Sequence, residues 1–443
     1  AFGKTLQVKD GGTLIAHPSN TLTITDYVEV SPAGLNPAGI FNIENAASLI
    51  QINDVANSGT ISMKRNVNIR KLDYVYWSSP VANFQLSSVS PGTGAGYRYK
   101  WTPTIGANTN GFGNWAGANE AMVAGKGYIV RGPDSFTATL ANFTANFTGV
   151  PANGNITMPI SRGTYDGANY ATGVSTTPAT KDDDNWNLIG NPYPSALNAN
   201  DFLALNTNIN GFIKLWSHGT LPSAITIDPF YSNYGQNYSV ADYVTYNFLG
   251  PITPGFDGNI AAGQGFFVLM NHSSGAPTEN VTFNNAMRSN AYTNNLFFRN
   301  ASTTAVPEEK SRIWLDLVSP TNTASRMLVG YATNATNGLD RLYDAPALGV
   351  KSNFELYSLE NTNQLSIQGR SLPFDNNDQV PLGVSIPQNG IYTIAIASTD
   401  GIFQDTSQNI YLEDISLGII HDLHSAPYSF TATTGTHENR FIL

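Results

Sequence analysis

The chain has 443 residues and a net charge of −10, and no basic run exceeds Lys64-Arg65 or Arg70-Lys71, so the electrostatic footprint of a nucleic-acid binder is excluded. Zero cysteines exclude disulfides, thiol catalysis and Cys-bearing zinc sites together, and no apolar run reaches the ~20 residues of a bilayer-spanning helix. With 49 Asn, 42 Thr, 40 Gly, 24 Pro, 22 Phe and 21 Tyr, an all-α fold is excluded and an all-β one expected. The physical reason is that Asn, Gly and Pro interrupt helices, whereas Thr and aromatic side chains suit a pleated, half-buried surface.

At this length two to four folded units are expected. Residues 1–70 carry short runs such as Leu6–Val8, Thr21–Ile24, Val28–Val30, Ile40–Ile43, Leu49–Ile52 and Ile61–Met63, punctuated by Gly, Pro, Asn and Asp. They read as β-solenoid-like rungs, which bury a core by stacking coils, or as an antiparallel meander. Both readings stay open at this point.

An internal repeat follows. Asp73-Tyr74-Val75-Tyr76-Trp77-Ser78-Ser79-Pro80 is echoed by Asn185-Trp186-Asn187-Leu188-Ile189-Gly190-Asn191-Pro192, and Ala124-Gly125-Lys126-Gly127-Tyr128 by Ala262-Gly263-Gln264-Gly265-Phe266. This predicts a first β module over 71–165 and a second over 166–290. The Pro-to-Gly separation grows from 45 to 71 residues, so the second module carries an insertion of 26 residues. In each AGxG string one Gly is expected at positive φ and the other at a close backbone approach. Lys126 does not belong to a phosphate-binding loop, because Glu120 stands five positions before Gly125 and Gly127 replaces the required Ser or Thr. Gly92–Gly96 misses dinucleotide-binding spacing and precedes Tyr97-Arg98-Tyr99 rather than a helix. One short helix is expected at Asn200–Asn206, capped by Asn200. Residues 291–311 read as a linker, with a crossing strand at Leu296–Arg299. From 312 to 443, nine alternating segments broken by turns predict a C-terminal antiparallel β-sandwich.

Several groups are candidates for chemistry. Within the insertion, Tyr231, Tyr234 and Tyr238, followed by Tyr243 and Tyr246, interleave with Asn and offer flat apolar faces beside amides, the pairing a sugar or protein ligand uses. The other reading is a loop packing its own rings inward. Asp182, Asp183 and Asp184, and Asp375 with Asp378, form oxygen-rich loops suited to Ca²⁺ or to solvated turns, and neither run fits the EF-hand register. His421 and His424 do not share a face on a strand as they would on a helix. No Gly-x-Ser-x-Gly elbow, His-Glu-x-x-His motif or cysteine nucleophile occurs, so no catalytic residue is assigned.

The string Trp186–Ser195, then Gly263–Val268, then Val281-Thr282-Phe283 with Met287-Arg288, resembles the stalk regions of large surface proteins exported by the type IX secretion system of Bacteroidota. Gln368-Gly369-Arg370, Leu372-Pro373-Phe374, Val380–Gly383, Ile410–Asp414, Tyr428–Phe430 and Arg440-Phe441 look like the sandwich that precedes the sorting domain in those proteins. The resemblance spans nearly the whole chain. It implies a secreted, non-enzymatic, adhesin-like segment at the cell surface, lying ahead of a sorting domain. It also implies the type IX machinery or outer-membrane anchoring components as partners, an association with adhesion or gliding motility, and a glycan or other surface ligand. The alternative is an accessory region of a secreted polysaccharide-active enzyme.

Overall fold

A computed structural model describes residues 1–34, 36–103, 113–163, 185–217, 242–253, 255–295, 310–347 and 354–443. The fold is all-β, about 49% strand and 6% helix. Contacts divide the chain into two units, one of residues 1–209, 213–243 and 258–301, the other of 210–212, 244–257 and 302–443.

The first strands of the first unit pair in parallel, in three separate stacks. Thr21–Ile24 lies between Phe2–Gly3 and Ser48–Gln51, Leu6–Val8 pairs Val28–Val30, and Ile40–Ile43 lies between Thr13–Ala16 and Ile61–Ile69. Partners such as Thr13 and Ile40, or Phe41 and Ile61, are about 20 to 27 residues apart in the chain. Parallel pairing needs a crossover between partners, so these strands are not a meander. Val28, Ile43, Leu49 and Met63 are fully buried, and the core they form continues into Trp77, Tyr128, Phe147 and Ala262 of the modules. Ile61–Ile69 also pairs antiparallel with Ala141–Gly149, which closes this stack.

The two modules share one register. Tyr74–Trp77 pairs antiparallel with Tyr128–Arg131, setting Trp77 opposite Tyr128 and Tyr76 opposite Ile129. Trp186–Gly190 pairs with Gly265–Met270, setting Ile189 opposite Phe266 and Leu188 opposite Phe267, the positions the repeat makes equivalent. The modules also complete one another. Trp77 bridges Gln264 and Ile189 bridges Lys126, while Ser78 N–H donates to Gly263 O at 2.7 Å and Gly190 N–H to Gly125 O at 3.0 Å. Gly125 and Gly263 have φ of 80° and 70°, the conformation glycine supplies without a Cβ penalty. A Cβ on Gly127 would meet Leu188 Cγ at 2.5 Å and one on Gly265 would meet Tyr76 Cβ at 3.1 Å, so each module's second glycine lies against the other's first strand. The helix is Ala199–Leu205, and its cap is Asn198, whose side chain accepts from Asp201 N–H, rather than Asn200. Leu197-Asn198 first pairs with Asn259-Ile260, which moves the helix start back.

In the second unit one continuous sheet runs from Ile419–Asp422 at one end to Tyr428–Ala432 at the other, barrel-like and nearly closed. Its core joins Leu315, Leu317, Val329, Leu356, Leu382, Ile394, Leu412, Phe430 and Phe441. Among the described residues its pairing is antiparallel except that Ala324–Ala332 and Asn363–Ser371 run parallel, Leu328 opposite Ile367.

Candidate functional site

Where the modules meet, strand residues that alternate toward one face carry large rings. Tyr76 stacks on Trp216 at 5.9 Å, Trp101 meets Trp115 edge-on at 4.9 Å, and Phe267 stands edge-on to Trp101 at 5.3 Å and to Trp186 at 6.1 Å. Offset and edge-to-face pairs add about 0.5–1.5 kcal/mol each beyond burial. The polar ends are tied as well. Trp101 Nε1 donates to Trp186 O at 2.7 Å, and Trp216 Nε1 donates to Tyr74 O at 3.0 Å.

Tyr243 belongs to this cluster. Its ring lies 4.9 Å from Trp216, and its hydroxyl is 2.5 Å from that of Tyr76. Tyr246, on the same strand, packs edge-on against Phe256 at 4.9 Å. Both are only 7% exposed, so these two belong to cores and not to a ligand-facing surface, a correction to the sequence expectation. Period-2 alternation of a strand buries such rings whenever both faces are covered. Tyr231, Tyr234 and Tyr238 lie outside the described residues, as do Asp182, Asp183, Asp184 and the strand expected at 296–299.

Asp375 and Asp378 have separate tasks. Asp375 accepts from Asn377 N–H at 2.9 Å within its own turn, whereas Asp378 accepts from Arg370 Nε at 2.8 Å and from the Tyr331 hydroxyl at 2.9 Å. Burial pushes the Asp378 carboxyl up, but the Arg370 and Tyr331 hydrogen bonds outweigh it and leave the group below the ordinary carboxylate range. A carboxylate so engaged has little left for a cation. Among the described residues no group of three or more His, Asp or Glu is placed to hold a metal ion. His421 bonds Ala426 O at 2.7 Å through Nε2, and His424 does not join it in a ligand set.

Sequence reasoning missed the cationic ties of the first unit. Arg288, 6% exposed, reaches Leu49 O and Ser195 Oγ, while Arg65, with no exposed surface, donates to Asn294 O at 2.9 Å. Asn294 also donates to Ala47 O at 2.6 Å and accepts from Ala262 N–H at 2.9 Å, so the linker expected from 291 begins inside a core. Such residues leave no periodic signal, because most of these partners are far away in the chain.

A family model described as a domain of unknown function (DUF8693) matches residues 1–443, and the chain belongs to that family. No curated protein and no solved structure matches it.

Proposed function

We propose that this family member is a non-enzymatic structural or adhesion segment of a cell-surface protein exported by the type IX system, projecting a binding region from the outer membrane. The reading rests on the long strings that resemble such stalks. One structural observation favours it: buried charged groups such as Arg288 and Asp414 tie separate strands and turns together instead of gathering at a cleft. Arg288 links Leu49 to Ser195, and Arg440 closes on the buried Asp414 at 2.8 Å, with the Tyr428 hydroxyl on the same carboxylate at 3.0 Å. Ties of this kind stiffen a scaffold, which suits a spacer. Surface labelling and fractionation of the full-length protein test the location, and recovery from the cytoplasm alone refutes it. Incubation with a polysaccharide panel tests the rest: turnover that disappears on changing one carboxylate pair would establish an enzyme instead.

A further inference from the structure

The repeat allows each position of the first module to be compared with its counterpart in the second. Lys100 sits opposite Tyr128 as Leu215 sits opposite Phe266, by continuation of the pairs Ile213–Val268 and Lys214–Phe267. Lys126 corresponds to Gln264, and Glu120 to Gly258. In the second module these places are structural: Leu215 is fully buried, and Gln264, 3% exposed, accepts from Ala261 N–H at 3.1 Å to hold its own turn. The first module instead has three charged side chains that meet. Glu120 Oε2 lies 2.5 Å from Lys100 Nζ and Oε1 3.5 Å from Lys126 Nζ, and the Tyr128 hydroxyl donates to Oε1 at 3.1 Å. The module core closes without this triad in the other copy, so the fold does not require it.

The triad has one carboxylate for two ammonium groups, and both lysines are among the residues lining a cavity of about 260 Å³. Its other lining residues include the apolar Trp101, Met158, Pro159 and Leu188 and the polar Thr102 and Ser161. Lys100 and Lys126 keep 32% and 21% of their side-chain surface, so each can still take a second anionic partner. Burial lowers the Lys126 pKa, opposed by the Glu120 charge, which marks this ammonium as under-solvated. The volume is just below the ~300 Å³ at which sites for drug-sized ligands begin, which limits an occupant to about one ring.

We propose that Lys100, Lys126 and the adjoining cavity bind an acidic sugar, one hexose-sized ring carrying a carboxylate or sulfate. The oxyanion bridges the two ammoniums opposite Glu120, and the ring lies along the exposed Pro159. This site does not depend on the chain being a surface segment.

Titration calorimetry of the full chain at low ionic strength tests it, with glucuronate, glucose 6-sulfate, glucose and inorganic sulfate as probes. At least one acidic sugar should bind, with affinity falling as salt rises, and glucose should bind at least tenfold more weakly. Lys126→Met and Lys100→Gln should each weaken binding about tenfold, whereas Glu120→Gln, which frees both cations, should strengthen it several-fold. Thermal melts of each variant identify any that fails to fold, and the probe series on the unchanged chain still decides the matter. The proposal is overturned if neither acidic sugar binds, if glucose binds as well, or if inorganic sulfate matches the sugars, because the ring then contributes nothing. It is also overturned if folded Glu120→Gln loses binding together with the Lys variants, because the triad is then only a structural network.

Discussion

Replacing Arg288 should loosen the join between the N-terminal parallel strands and the second module. Its guanidinium donates to Leu49 O at 2.6 Å, Ser195 Oγ at 2.9 Å, Asn285 Oδ1 at 2.9 Å and Asn153 Oδ1 at 3.3 Å, and lies 4.5 Å from the centre of the Tyr193 ring. Burial lowers its pKa to about 10 in spite of the Tyr193 charge, so it stays protonated at neutral pH. With Ala at 288, water can reach the two half-buried amides, but Leu49 O and Ser195 Oγ remain buried without this donor. At about 1–3 kcal/mol for each stranded group, plus the lost packing, the cost is about 3–5 kcal/mol. Arg288→Met should cost less, since it fills the space and removes a buried charge, yet it still leaves the carbonyl unpaired. Denaturant titration gives the total, and hydrogen exchange localises it: amides of Ser48–Gln51 and of Tyr193–Ala196 should lose protection first. A loss below about 1 kcal/mol for the Ala variant, or unchanged exchange in the 48–51 strand, would refute the reasoning.

Gly190→Ala places a Cβ 2.5 Å from Ser78 Cβ and 2.8 Å from Gln264 O, where the modules touch, and should cost about 2 kcal/mol or more in a denaturation experiment. Arg440→Met leaves the fully buried Asp414 with the Tyr428 hydroxyl and Ser416 N–H but no cation, and a fall of about 3–5 kcal/mol in urea stability is expected. Burial raises the Asp344 pKa to about 7, although the Asp340 and Gly369 N–H groups pull it down. Its neutral form is therefore favoured by folding, so its contribution is complete below about pH 4 and disappears as pH rises through about 7. Urea midpoints measured from pH 4 to 8 should fall, and Asp344→Asn should flatten that slope even if it lowers stability at every pH.

Strand content and the repeat were legible because both are local. The AGxG strings required two glycines of different use, and Gly125 and Gly263 at positive φ with Gly127 and Gly265 against the opposite module are those uses. Chain direction was less legible: apolar alternation left a solenoid-like and a meander reading of the first strands both open, and it carries no mark of the parallel pair at Leu328 and Ile367. Tyr243 and Tyr246 had the composition of a contact surface but the burial of a core, since period 2 does not say which faces are covered. The Lys100–Glu120–Lys126 triad was hidden for another reason. Spacing along the chain tests Lys126 only as a phosphate-loop lysine, and its difference from Gln264 gains meaning once the strand register makes Lys100 the counterpart of Leu215 in the other copy.

The Arg65–Asn294 and Arg288–Leu49 hydrogen bonds join residues 229 and 239 positions apart. A chain emerging from its N-terminus at a ribosome therefore exposes its first parallel strands long before the residues that fasten them are available. Their parallel edges stay open to foreign strands for that interval, and contacts so distant in sequence are slow to form. The late arrival of residues 288–294 makes closure of the unit a final, vectorial event. A stall or a cut ahead of that point leaves those strands in the form most prone to aggregate.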